Sequence, residues 1–162
     1  MKVLLQQYAS FNAWANDTIA AAILPLDHAL IHCEIKSSFN SLYKTLWHVW
    51  NAEKIWVRRL EKKPAEPASD PFQGNPEKLA AAMHQMDFWL ADSIASIASD
   101  DPFLEKFSYT NSQGLPFNEP MWQILVHLFN HNTYHRGQMV TMLRNLGIEK
   151  IPATDFIAFC RL

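Results

Sequence analysis

Three histidines spaced by four, His127, His131 and His135, lie within the stretch His127-Leu-Phe-Asn-His131-Asn-Thr-Tyr-His135-Arg136-Gly137-Gln138. No other feature constrains the chain as much. In an α-helix four residues turn about 400°, so each histidine sits about 40° round from the last and about 6 Å further along the axis. Ile124 and Leu128 on one side, and Met142 and Leu146 on the other, continue the stripe in apolar residues. The pattern predicts an amphipathic helix with the histidines on its inward face. A buried imidazole forfeits its hydrogen bonds to water, so these rings need partners.

Two histidines at i and i+4 can clamp one transition metal ion at metal–nitrogen distances of about 2.0–2.1 Å. The outer two of the three are about 12 Å apart along the axis. A single ion therefore takes one adjacent pair, and its next ligand comes from another helix. The plainer reading is that the rings are core or interface histidines bonded to backbone and side chains. Three in register on one face favour the metal.

At 162 residues the chain suits one domain with a full core. Four glycines in an apolar fraction of 49% suit a helical globule. A net charge of −2 and a pI near 6.4 argue against a nucleic-acid or anionic-membrane binder, which would show a basic face. The one basic cluster, Arg58, Arg59, Lys62 and Lys63, reads as a solvated helix end, where cations favour the dipole. Cys33 and Cys160 imply no disulfide framework. The apolar run at the N-terminus stops at Gln6, too early for a signal peptide, and no stretch approaches a membrane span. The expected setting is the cytoplasm.

Four long helices are expected. The first covers residues 3–24, with Leu4, Leu5, Tyr8, Phe11, Ala15, Ile19, Ala22 and Ile23 at helical spacing, and Pro25 closes it. Residues 25–38 form a connector. It carries a second i, i+4 histidine pair, His28 and His32, which has no long buried helix to hold it. The second helix covers 39–62, with Ser37 or Ser38 as N-cap. Its buried stripe includes Leu42, Leu46, Val49, Glu53, Trp56 and Leu60, and His48 stands at the edge of it. His48 is the best remaining histidine to complete a metal site. Thirteen residues, 63–75, form a proline-rich loop that reaches about 43 Å extended. It can cross the length of a helix of about 36 Å and so join two parallel helices.

Asn75-Pro76 starts the third helix with an N-cap and a proline at the first helical position. Leu79, Met83, Met86, Leu90, Ile94 and Ile97 line its core face, and His84 lies off it. Residues 107–117 read as a short hairpin around Asn111-Ser-Gln-Gly114. Asn118 is the expected cap of the fourth helix, which ends at Gly147. Gly137 within it costs about 1 kcal/mol relative to alanine and suggests that another helix comes close there. Phe129 and Val140 give that helix an apolar outer side, which points to a homodimer. Thr154-Asp155 caps a short last helix. The architecture is all-α, a four-helix bundle with long crossover connections.

Three segments carry a resemblance. Tyr8-Ala-Ser-Phe-Asn12-Ala-Trp14-Ala-Asn16, Leu46-Trp-His48-Val-Trp-Asn-Ala-Glu53 and the His127–Gln138 stretch resemble motifs of the DinB/YfiT-like superfamily of metal-binding bundles, over essentially the whole of 1–162. The resemblance implies an up-down-down-up bundle, a homodimer, and a divalent metal on His48, His131 and His135. Asn12, Trp14 and Asn16 are expected to serve packing or to support the ligands. A level argument agrees with the ligand set. If the second and fourth helices run antiparallel with aligned centres, His48 stands level with position 135. That is about 3 Å from the middle of the His131/His135 pair and about 9 Å from the middle of the His127/His131 pair. His127 is then a wall residue of the site or a support for a ligand.

Three neutral imidazoles leave a divalent ion its full charge and an open position, which lowers the pKa of a bound water or thiol. Some members of the resembled superfamily look like thiol transferases, joining a low-molecular-weight thiol to an electrophilic small molecule. Metal-dependent hydrolysis and a non-catalytic, damage-inducible metal-binding role are the alternatives. Tyr134 and Glu53 are candidate acid/base or supporting groups. Zinc or nickel is expected in the site, and manganese and iron also accept imidazole.

Overall fold

The computed structural model describes residues 1–162 except 65, 67 and 112. Those three fall in the proline-rich loop and in the turn of the expected hairpin, and that part of each expectation lies outside the described residues. In chain order the elements are α1 (Lys2–Ile23), α2 (His28–Ile31), α3 (Leu42–Leu60), α4 (Pro76–Ser96), α5 (Asp101–Leu104), β1 (Lys106–Thr110), β2 (Pro116–Pro120), α6 (Met121–Asn145) and α7 (Phe156–Phe159). The protein is mostly helical with one small two-stranded antiparallel sheet. None of the described helices is long and apolar enough to cross a membrane.

The ends of the long helices follow local chemistry. Asn75 accepts from the Lys78 amide ahead of Pro76, as the sequence suggests. Gly147, at φ +81°, closes α6 in the left-handed region that glycine enters without strain. Two starts differ from expectation. α3 is capped by Ser41, whose Oγ accepts from the Lys44 amide, and not by Ser37 or Ser38. Residues 36–41 form bends that pass over the site instead of a first helical turn. Asn118 does not cap α6. It pairs with Ser108 across the hairpin, and α6 starts three residues later, after Pro120.

α1 and α3 each pack against both α4 and α6. Contacts fix the pairwise directions. Thr45 meets Met142, His48 meets His135 and His131, and Trp56 meets His127, so α3 and α6 run antiparallel. Gln6 reaches Ala95, Asn12 reaches Asp87 and Asp17 reaches His84, so α1 and α4 also run antiparallel. Tyr8 touches Phe129 while Asn16 touches Arg136, so α1 and α6 run parallel.

Two apolar clusters fill the interior. One gathers Ile19, Ile23, Leu42, Leu46, Leu79, Met83 and Met142, and the other Leu5, Val57, Leu90, Phe103, Leu125 and Phe129. Leu4, expected in the core, is 60% exposed, because α1 turns its Leu5 side inward. Phe129, expected on an outer face, is 1% exposed and belongs to the core. That support for a homodimer falls away. Arg59 is not a freely solvated helix-end cation either: its guanidinium lies over Trp56 at 4.4 Å and Tyr109 at 5.0 Å.

Candidate metal centre

α3 brings His48, and α6 brings His131 and His135, to one place. Their ligand-capable nitrogens all lie within 4.8 Å of one another. Nε2 of His48 and Nε2 of His131 are 2.9 Å apart. The group contains no carboxylate and no thiolate. Ligand nitrogens sharing a tetrahedral ion at about 2.0–2.1 Å stand about 3.3 Å apart, so small ring rotations suffice for these three to hold one. The residues fit a metal ion.

Proton competition is low at this spot. Burial, and the neighbouring His135 and His131 rings, push His48 down from 6.5 to about 4. Burial also lowers His131 and His135, against an opposing hydrogen bond in each case. The rings are therefore neutral at pH 7, with lone pairs free for a cation. In the unfolded chain they titrate near 6.5 and bind protons that the folded form rejects. The stability these rings contribute is complete above pH 6.5 and is lost as the pH falls from there toward 4. Metal-free protein should accordingly melt at progressively lower temperature over that window, and His48→Ala should flatten the dependence. Equal slopes in the two proteins would contradict the lowered His48.

The rings are also held by their surroundings. Phe39, just outside α3, stacks on His48 with centroids 3.8 Å apart and presents an edge to His135. Nδ1 of His135 lies 2.8 Å from Oε1 of Gln138, and Nδ1 of His131 lies 3.4 Å from Oδ1 of Asn132. Tyr134, 61% exposed, meets His135 edge-on.

The remaining histidines stand elsewhere. His127 is exposed and packs on Trp56, so it does not share the inward face with His135. Each step of four overshoots a full turn by about 40°, which carries His127 about 80° round from His135. His28 faces Glu77, His32 meets the Gly74 carbonyl, and His84 meets Asp17. No helix comes close at Gly137: a Cβ there would meet nothing within 4 Å. The glycine instead lines an open cleft of about 290 Å³ with Ile35, Ser37, Tyr134 and Gln138.

A buried polar network adjoins the centre and ties α1, α4 and α6 together, with Glu53 of α3 beside it. Its members, Asn12, Asn16, Asp87, Asn132 and Arg136, and Glu53 are all buried. Asp87 accepts from Asn12 at 2.7 Å and from Asn16 at 3.0 Å. Arg136 donates to Asn12 at 3.0 Å, Asn16 at 2.7 Å and Thr133 at 2.7 Å. Asn132 donates to Asn12 at 3.2 Å. Glu53, fully buried, has no hydrogen-bond partner for either oxygen among the described residues. Burial, and then the negative Asp87, raise it well above its ordinary 4.5. Burial lifts Asp87 as well, to about 7, against Asn16, Glu53 and Arg136, so Glu53 keeps its proton and Asp87 is the first of the two to ionise. Glu53 lies wholly buried beside this network. Asp87 and Arg136 were missed from sequence, although a carboxylate one turn below Met83 and one above Leu90 was a usable signal.

A sequence profile described as the DinB family matches residues 1–161. The chain is 27% identical over 151 residues to Protein DinB of Bacillus subtilis (strain 168), covering 90% of this chain and 87% of that one. It is 25% identical over 116 residues to the uncharacterized protein YrdA of the same organism, covering 71% and 66%. A crystal structure of a DinB-like protein from Bacillus cereus ATCC 10987 superposes with a TM-score of 0.65 at 20% identity, covering 86% of this chain and 89% of that one, and is a likeness of fold.

Proposed function

The chain belongs to the DinB family, and on that premise we propose that it holds one divalent metal ion on His48, His131 and His135 and uses it to transfer a low-molecular-weight thiol to an electrophilic small molecule. The observation that carries this reading is the convergence of three imidazole nitrogens within 4.8 Å, with no carboxylate or thiolate among them. When bound, such an ion supplies Lewis acidity toward a thiol or water in its open position. The chain's own part is to keep the three rings neutral, to orient them through Phe39, Gln138 and Asn132, and to present them beside the exposed Tyr134. Zinc or nickel suits an all-imidazole set best.

We read the pairwise directions of the four long helices as an up-down-down-up bundle, and residues 1–162 as one domain. The proposed setting is the cytoplasm, where small thiols are kept reduced.

The test is metal analysis of protein purified without an affinity tag, followed by a panel of small thiols against electrophilic acceptors. Turnover should vanish on chelation and return on adding back the metal. Turnover that survives metal depletion would remove the mechanism, and metal binding without turnover across the panel would leave the ion as a tie between α3 and α6.

A further inference from the structure

His135 is the ligand whose far nitrogen makes a short hydrogen bond. Nδ1 lies 2.8 Å from Oε1 of Gln138, and the Gln138 amide nitrogen donates to Oγ of Ser38 at 3.1 Å. A carboxamide oxygen can only accept, so in this arrangement the ring hydrogen sits on Nδ1 and Nε2 keeps its lone pair. With the amide turned over, its NH₂ would donate to Nδ1, the ring hydrogen would move to Nε2, and the ring would lose the lone pair on the nitrogen that Gln138 leaves free. Ser38 tolerates either setting, because a hydroxyl both accepts and donates. The three-histidine centre requires the first.

We propose that Gln138 is a positioning residue that fixes His135 in the Nδ1–H form and so holds Nε2 toward the metal position, with Ser38 anchoring the amide from the connector. Both the role and the choice of amide setting rest on the metal reading of the site, and the tautomer is measured without metal. Ser38 precedes Phe39, the residue stacked on His48. One short stretch before α3 therefore steadies ligands from both helices, His48 by stacking and His135 through Gln138. This accounts for the bends over residues 36–41 where a helical turn was expected. It also gives the last residue of the His127–Gln138 stretch a task that packing alone does not, since Gln138 is half-exposed on the edge of an open cleft.

Imidazole nitrogen–proton correlations of ¹⁵N-labelled, metal-free protein at pH 8, where the rings are neutral, read the tautomer directly. Wild type should show His135 as Nδ1–H. Gln138→Leu should lose that preference and bind zinc about 10–100-fold more weakly, the usual effect of removing such a partner. Gln138→Glu keeps an acceptor against Nδ1 and should retain both the tautomer and zinc affinity. Ser38→Ala should show a smaller loss than Gln138→Leu. A wild-type His135 carrying its hydrogen on Nε2 would overturn the proposal. So would Gln138→Leu and Gln138→Glu weakening zinc equally, which is what a packing role predicts. An Nδ1–H His135 in a wild type that takes up no zinc would uphold the tautomer and refute the metal reading beneath it.

Discussion

Replacing Arg136 with methionine should lower the unfolding free energy by about 3–5 kcal/mol, the cost of taking the cation out of a buried network that holds a carboxyl and two asparagines. For a chain of this length that is a fall in melting temperature of about 6–20 °C. Arg136 and Asp87 are each 2% exposed, and Asn12 and Asn16 hold both of them. Removing the guanidinium takes away the cation that favours ionised Asp87 and leaves the Asn16 amide oxygen without a donor, while the Asn12 oxygen keeps Asn132. Adding Asp87→Asn to Arg136→Met should recover part of the loss, because the carboxyl left without its cation goes with it. Glu53→Gln should change stability by only about 1 kcal/mol below pH 4.5, where the glutamate is protonated in folded and unfolded chain alike and glutamine is close to it in shape. Its effect appears in the pH dependence. A carboxyl raised in the folded state contributes stability that is complete below its unfolded value of 4.5 and is lost as the pH rises. Glu53→Gln should therefore gain on wild type toward alkaline pH. Denaturant unfolding in chelator at several pH values reads all three variants. A loss below about 1 kcal/mol for Arg136→Met would contradict the role given to the guanidinium.

This network shows where reading the chain stops short. The long helices were legible because their signals are local: Asn75-Pro76 at one start, Gly147 at one end, and apolar residues at helical spacing between. The meeting of the three histidines was legible because His131 and His135 share one helix and His48 stands level with them on an antiparallel partner. Asp87 was passed over in favour of Met86, because burial of a carboxylate depends on an arginine and two asparagines on other helices. No pattern within α4 announces them. The caps failed for a different reason. Ser37, Ser38 and Ser41 are equivalent candidates in sequence, and the passage of Phe39 and Ser38 over α3 and α6 selects Ser41. His127 misled because a spacing of four looks like one stripe, while the helix drifts about 40° with each step.

The claim at the centre of this account is that His48, His131 and His135 hold one metal ion. Structural zinc bound by four ligands is worth about 10–16 kcal/mol, or about 2.5–4 kcal/mol per ligand. At 1.4 kcal/mol per tenfold, losing one ligand should weaken binding by about 10²–10³-fold. Chelation should also lower the melting temperature of the metal-loaded wild type and leave His48→Ala almost unaffected, since a bound ion stabilises only a protein able to hold it. The most direct measurement is calorimetric zinc titration of the metal-free protein and of four single variants. One ion per chain is predicted for wild type and for His127→Ala, with His48→Ala, His131→Ala and His135→Ala each weakened by about 10²–10³-fold. Binding that survives His135→Ala and disappears in His127→Ala would contradict it.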